Sequence, residues 1–285
     1  MDAQAFLAAT NKNRFLVGLV VFMMSPAYSQ ERPFWEVGLG FAGLNFPDYI
    51  GSDNRNNLVL PFPYVVYRGE RLQIERDSVA GQLFESERLR LELSLSGSIP
   101  VDSDNNKDRR GMPDLDPIVE AGPSLTYELY RTLANNGSLI LELPVRGAIA
   151  SDFKKIHPVG WISNPNIKYQ AQYRSEDGLW TFDISLGPLF GNRRYHDYFY
   201  GVDRPFATEA RPDFDASGGF GGWRLALGLS GRSGNLWYGA FLRYTDLTDA
   251  IFAASPLVKM NHSIIGGFAI AWIVARSDTG TGRMR

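Results

Sequence analysis

The chain contains no cysteine. That excludes disulfides, thiolate zinc sites, cysteine nucleophiles and lipidation of an N-terminal Cys. Histidine is scarce, at three, and the formal charge is only −2, so no basic face invites nucleic acid. Beyond the N-terminus no run reaches the ~18 apolar residues of a membrane helix, which removes helical membrane proteins. There is no phosphate-binding glycine loop, no dinucleotide fingerprint and no fixed-period repeat. From Pro33 onward no helical period stands out.

What the 285 residues do contain is aromatics at 13% and 29 glycines, a composition that suits a β-rich chain with many turns. The N-terminus reads as an address. Lys12 and Arg14 precede the apolar run Phe15–Met24, and Ala27 and Ser29 provide small residues for cleavage before Gln30. Residues 1–29 are therefore expected to be a signal peptide, and 30–285 a single exported domain.

Strand-like alternation dominates the rest. In Arg88–Ile99, Leu89, Leu91, Leu93 and Leu95 alternate with Arg90, Glu92, Ser94 and Ser96. Successive strand side chains point to opposite faces, so one face is apolar and the other polar. Further runs are Phe34–Leu44, Leu58–Tyr67, Arg71–Phe84, Ile118–Tyr130, Leu139–Ala150, Trp161–Arg174, Leu179–Phe190, Gly222–Ser230, Leu236–Asp246 and His262–Val274. Most are far longer than the five or so residues usual in globular sheets, and tilted membrane strands need about 9–11.

Short turns at Glu85–Glu87, Thr132–Gly137, Ser175–Gly178 and Gly231–Gly234 alternate with longer polar stretches. These are Asp102–Asp116, Ser151–Gly160, Gly191–Gly221 and Ala250–Asn261. Bacterial outer-membrane barrels distribute their periplasmic and extracellular connections in this way. Trp161, Trp180, Trp223, Tyr244 and Trp272 fall near strand ends, where interface girdles belong.

The expected fold is an all-β, transmembrane, antiparallel up-and-down barrel of about ten to twelve strands. The eleven runs are an odd number, whereas bacterial single-chain barrels are even. One strand is therefore hidden, within Gly191–Gly221 or the N-terminal region, or one run is not in the wall; Phe34–Leu44 and the proline-bearing Leu58–Tyr67 are the suspects. Pro61 and Pro63 cannot donate to a ladder, which predicts an irregular strand or one beside a seam.

With the strands placed, several stretches resemble the MipA/OmpV family of Gram-negative outer-membrane proteins. They are Tyr49-Ile50-Gly51-Ser52, where the family more often has proline at the second position, and Leu60-Pro61-Phe62-Pro63-Tyr64 with its turn Tyr67–Arg71. Later come Gly122-Pro123, Tyr198–Val202 including Tyr200-Gly201-Val202, and Ser255-Pro256-Leu257-Val258. The resemblance runs from about Phe34 to Trp272. Gly267–Trp272 is also similar to the C-terminal signal read by the barrel-assembly machinery, although Ile273–Arg285 follow it.

The resemblance implies an outer-membrane location, in contact with lipid and lipopolysaccharide. It also implies a scaffolding role that joins a lytic transglycosylase to a bifunctional murein synthase. Other members are described as adhesins or are linked to antibiotic entry, so a shared fold does not decide the job.

Chemistry is sparse. His157 and His196 fall in long connections, and His262-Ser263 would point to opposite faces of one strand, which separates a nucleophile from its base. No catalytic, metal or cofactor site is expected. Asp102–Asp108 has a calcium-loop composition but lacks the turn glycine and terminal Glu, so a solvated loop accounts for it.

The polar faces predict lumen-directed charges at Arg90, Glu92, Glu142, Arg146, Lys168, Asp183, Arg224 and Arg243. In a narrow barrel such charges pair and plug the lumen; the alternative is a small-solute channel lined by them. The aromatic group Tyr195, Tyr198, Phe199 and Tyr200 either caps the lumen mouth or recognises a partner. The function expected is non-catalytic scaffolding, with a narrow channel or a surface adhesin as alternatives.

Overall fold

A computed structural model describes residues 33–277 except 69–71, 76–77, 133–135, 153–154 and 176–177. The expected signal peptide, residues 1–29, lies outside the described residues, as does most of the tight turn after Arg68.

Among the described residues, thirteen strand segments form one antiparallel sheet. They are β1 (Trp35–Pro47), β2 (Arg55–Arg68), β3 (Leu72–Glu75), β4 (Ser78–Glu85), β5 (Leu89–Ser98), β6 (Ile118–Arg131) and β7 (Gly137–Ser151). Then follow β8 (Ile156–Ser163), β9 (Asn166–Ser175), β10 (Gly178–Gly191), β11 (Gly219–Ser233), β12 (Leu236–Asp246) and β13 (His262–Arg276). β13 pairs with β1 from Glu36↔Arg276 to Asn45↔Gly266, which closes the sheet on itself.

β8 and β9 lie end to end, and both pair with β7 on one side and β10 on the other. Asn164-Pro165 interrupts what is one strand of the wall, because proline removes a ladder donor there. Thirteen segments thus fill twelve positions, within the expected range and even.

The hidden strand is not inside Gly191–Gly221. Arg71–Phe84, expected as one run, divides into β3 and β4, a hairpin with Glu75↔Ser78 at its tip. Both suspect runs, β1 and β2, stand in the wall. Ser151–Gly160 is also not a long loop, since β8 begins at Ile156.

β2 pairs with β1 without a break from Trp35↔Tyr67 to Pro47↔Arg55. On its other side, among the described residues, β2 meets β3 only at Tyr67 and Arg68. Pro61 and Pro63 are two residues apart, so their donorless nitrogens face the same edge. The unbroken β1 ladder places that edge on the β3 side, where little pairing is required of it.

The side chains sort inside out relative to a soluble protein. Leu39 is 70% and Phe268 64% exposed on the outer surface, while Glu36 is 1% and Arg146 2% exposed within. Left in water, each large outward side chain would forgo about 1.5–3 kcal/mol of burial. In hydrocarbon that cost disappears, and a closed ladder leaves few backbone groups unsatisfied, so the wall is built for a bilayer.

Trp161, Trp223 and Tyr244 lie outward near one rim, and Trp35 and Trp272 near the other. Both ends of the described chain, Pro33 and Ser277, belong to the rim of short connections, including 86–88 and 234–235. Connections 48–54, 99–117, 192–218 and 247–261 belong to the other. By the usual distribution the first rim is periplasmic and the second extracellular.

Candidate functional site

The four long connections fold over the extracellular rim as a cap with its own core. Tyr49, Val101, Leu115, Phe199, Tyr200, Val202, Leu247, Phe252 and Leu257 are all buried in it, against Ile118, Ala148 and Ala150 from the upper wall. Loops seldom carry a core, because buried backbone needs partners. Here those partners are supplied residue by residue.

The centre of the cap is a helix, α1 (Arg193–Tyr200), where the sequence offered no helical period. Eight residues are too few to be stable alone, so its ends are held from outside. Asn192 Oδ1 accepts from the Tyr195 N–H and from the Trp161 N–H, both at 3.1 Å, which ties the helix start to β8. Gly160, at φ +131°, makes room: a Cβ there would sit 2.1 Å from Asn192 Oδ1. The Gly201 N–H donates to the Asp197 carbonyl at 2.8 Å and ends the helix.

Three of the motif stretches meet around this helix. The Tyr200 hydroxyl donates to the Ile50 carbonyl at 2.9 Å, and the Ser255 hydroxyl donates to the Tyr200 carbonyl at 2.7 Å. The Tyr49 hydroxyl donates to the Leu257 carbonyl at 2.9 Å, next to Pro256 in sequence. Gly51 adopts φ +93° and its carbonyl accepts from the Lys259 and Met260 N–H groups. Ser52 Oγ accepts from the Asn54 N–H at 3.1 Å, and Val202 bridges to Phe214. Burial pushes the Tyr49 hydroxyl far up and the Tyr198 hydroxyl up to about 12, so both act as un-ionised donors or acceptors.

Arg109, absent from the sequence reading, bolts the cap together. It is 2% exposed. Its guanidinium donates to Ser103 Oγ and to the Phe199 and Pro113 carbonyls, and lies 5.9 Å from the Tyr49 ring centre. Nothing in residue spacing signals this, since Phe199 and Tyr49 come from two other loops.

The histidines occupy separate places. His196 is buried in the cap, with Nδ1 2.8 Å from the Ser217 carbonyl, a contact that places the proton on that nitrogen. Burial lowers its pKa. His157 faces Tyr198, and His262 stacks on Tyr244. The acids of the Asp102–Asp108 stretch serve the cap: Asp102 accepts from the Asp104 N–H, and Asp108 pairs with Lys259 at 3.3 Å.

The remaining motif residues lie in the wall. The Tyr64 hydroxyl donates to Glu36 Oε2 at 3.2 Å. Gly122, beside Pro123 on β6, is required by close approach, because a Cβ there would lie 2.0 Å from the Val145 carbonyl oxygen. That approach brings β7 and its Arg146 tight against β6.

Inside the barrel the charges occupy three levels. Near the periplasmic rim Glu36 pairs with Arg232, three wall positions away, so their contact spans the interior. At mid-height Lys168 pairs with Glu142, Arg90 lies 3.5 Å from Glu92, and Asp183 is buried. Under the cap Arg146 Nε donates to Glu120 Oε2 at 3.1 Å, and its Nη1 donates to Ser94 Oγ at 3.2 Å. The Tyr195 hydroxyl of the helix donates to the other Glu120 oxygen at 2.7 Å, which ties the cap to the wall.

Arg224 and Arg243 stand at this upper level too. Glu36, Glu120 and Arg232 were missed in the sequence, although the same alternation places Glu36 opposite Trp35 and Val37, and Glu120 opposite Val119.

The profile of the family described as MltA-interacting protein MipA matches residues 39–274. No curated protein sequence matches. Among solved structures the chain is similar to a bacterial polysaccharide outer membrane secretin, at 8% identity and TM-score 0.39, over 84% of this chain and 99% of that one. It is also similar to the CymD monoaromatic hydrocarbon channel, at 14% identity and TM-score 0.34, over 85% and 89%. A third is the Ralstonia pickettii toluene transporter TbuX, at 8% identity and TM-score 0.26, over 85% and 69%. Likenesses this distant carry no argument about what the barrel does. The match over residues 39–274 spans both the wall and the cap, and the chain belongs to the MltA-interacting protein MipA family.

Proposed function

We propose that this outer-membrane barrel is a non-catalytic docking body. It holds a periplasmic lytic transglycosylase, and through it a bifunctional murein synthase, against the membrane. The family name supports the first partner, being that of a protein that interacts with MltA. The observation that carries the reading is the closed mouth: the four long connections form one packed core over the extracellular rim. A barrel stoppered there and threaded by ion pairs suits a fixed wall element better than an open pore. The face left for soluble partners is the periplasmic rim, with exposed Ser86, Glu87 and Arg88.

In this reading the chain reaches the membrane through its N-terminal signal and is inserted by the barrel-assembly machinery, with Gly267–Trp272 as the recognised end. Lipid and lipopolysaccharide then surround the outward apolar belt. The channel and adhesin readings rank below docking, because each needs the capped end to open or to present a mobile surface.

The test is retention of a purified murein lytic transglycosylase on the detergent-solubilised, immobilised barrel. Retention well above that on an unrelated barrel of similar size is expected. Equal retention on both would overturn the reading.

A further inference from the structure

The upper chamber carries more positive charge than its surroundings neutralise. Arg146, Arg224 and Arg243 act on one another there, and Glu120 is the acid that faces them. Both Glu120 oxygens are already engaged, one by Arg146 and one by Tyr195. Asp183, Glu142 and Lys168 form a separate group at mid-height, and neither of its acids is among the groups that act on Arg224 or Arg243. Among the described residues this level therefore holds three guanidiniums against one carboxylate.

Arg224 and Arg243 are neighbours on the inner face. Arg224 lies opposite Thr245 and Ala226 opposite Arg243, so the two arginines form a diagonal pair across β11 and β12. Like charges in such a pair repel. Neither makes a hydrogen bond or ion pair with a described residue, and the Nε of each is buried without a partner. Arg224 is 9% exposed.

Ser263 continues the row, since it lies opposite Thr245 on β13. It is 5% exposed, and its hydroxyl too is buried without a partner. Three adjacent strands thus aim unsatisfied donors into one chamber. Native interiors seldom leave one such group, still less a cluster with an excess of charge.

We infer that the chamber beneath the cap is a binding site for a small phosphate-class oxyanion, held by Arg224, Arg243 and Ser263. The chemistry follows from the donors. Planar guanidiniums match oxyanions with several acceptor oxygens, and an excess of two positive charges fits a dianion. A serine hydroxyl completes the set, as it does in many phosphate cradles. Arg146 stays on Glu120 and contributes field rather than contact. This site is independent of the docking role, and neither needs the other.

The test uses the full-length barrel refolded in detergent at low ionic strength, with folding checked by its heat-dependent gel mobility. Inorganic phosphate is titrated by calorimetry, with chloride at matched ionic strength as the control and glycerol 3-phosphate as a second probe. Saturable phosphate binding is expected in the wild type and in Arg232→Gln, which alters the periplasmic level only. Arg243→Gln is expected to weaken it about tenfold or more, as loss of one charge-assisted contact does. Arg224→Gln/Arg243→Gln should abolish it; Arg243→Gln alone carries the test where the double variant does not assemble.

Binding of glycerol 3-phosphate as tight as that of phosphate identifies the occupant as the phosphate group of a larger molecule. Binding of phosphate alone identifies the free ion. No heat beyond the chloride control, an adventitious ion only, would overturn the inference, and so would unchanged binding in Arg243→Gln.

Discussion

Tyr200 and Phe252, from two different loops, lie ring on ring, with centroids 3.8 Å apart and planes 9° from parallel. The pair sits at the middle of the cap, between His196 on one side and Tyr49 on the other. Phe252 is 2% exposed. Phe252→Ala should therefore cost the cap about 3–5 kcal/mol, as large-to-small changes in a packed core do. The wall has its own ladder and should survive. The expected outcome is faster proteolysis within the loops with unchanged heat-dependent gel mobility. Loss of both together would mean that cap and wall fold as one unit.

The cap should loosen in acid. His196 has a pKa lowered by burial from its ordinary 6.5, so the folded cap favours the neutral ring. A lowered folded pKa gives stability that is full above the unfolded value and is lost as pH falls from ~6.5 through the folded value. Loop proteolysis should accelerate as pH falls below about 6.5. His196→Gln should flatten that rise, and an unchanged profile would remove His196 as the cause.

The bond between cap and wall runs through Glu120. Arg146→Met strands a buried carboxylate that retains only the Tyr195 hydroxyl, and should cost about 3–5 kcal/mol in urea unfolding from lipid vesicles. Glu120→Gln added to Arg146→Met should cost less than Glu120→Gln in the wild type, because the ion pair it breaks is already gone. Additive costs in the double variant would contradict the pairing.

The outer face of β5 should reject charge. Leu93 is 36% exposed in the middle of the strand, on the side opposite Ser94, which accepts from Arg146. Leu93→Arg should cost about 2–4 kcal/mol near the bilayer midplane. Ser96→Asn, on the inner side, should cost little. Equal costs would mean that the two faces meet the same environment.

Much of the wall is legible in single residues. The Leu89–Leu95 alternation identifies a two-faced strand, and the pair Pro61 and Pro63 points to the thin edge beside β3. Other features depend on partners that no local pattern reveals. The turn between β3 and β4 has neither Asn-Gly nor Asp-Gly, so Arg71–Phe84 reads as one strand. Helix α1 is held by Asn192, Trp161 and Gly160 rather than by propensity. The convergence of Tyr49, Tyr200 and Ser255 is a product of the barrel, which brings distant loops to one rim. Arg224 and Arg243 read in sequence as ordinary lumen charges; only the surrounding side chains show that no described acid pairs with them.

Docking at the periplasmic rim is read out by sedimentation velocity of two purified components. The detergent-solubilised barrel is mixed with a murein lytic transglycosylase, with and without the change of Glu87 and Arg88 to Ala. A faster-sedimenting complex that saturates with the wild type and weakens with the rim variant is the predicted result. Independent sedimentation of the two proteins at every concentration would contradict the account.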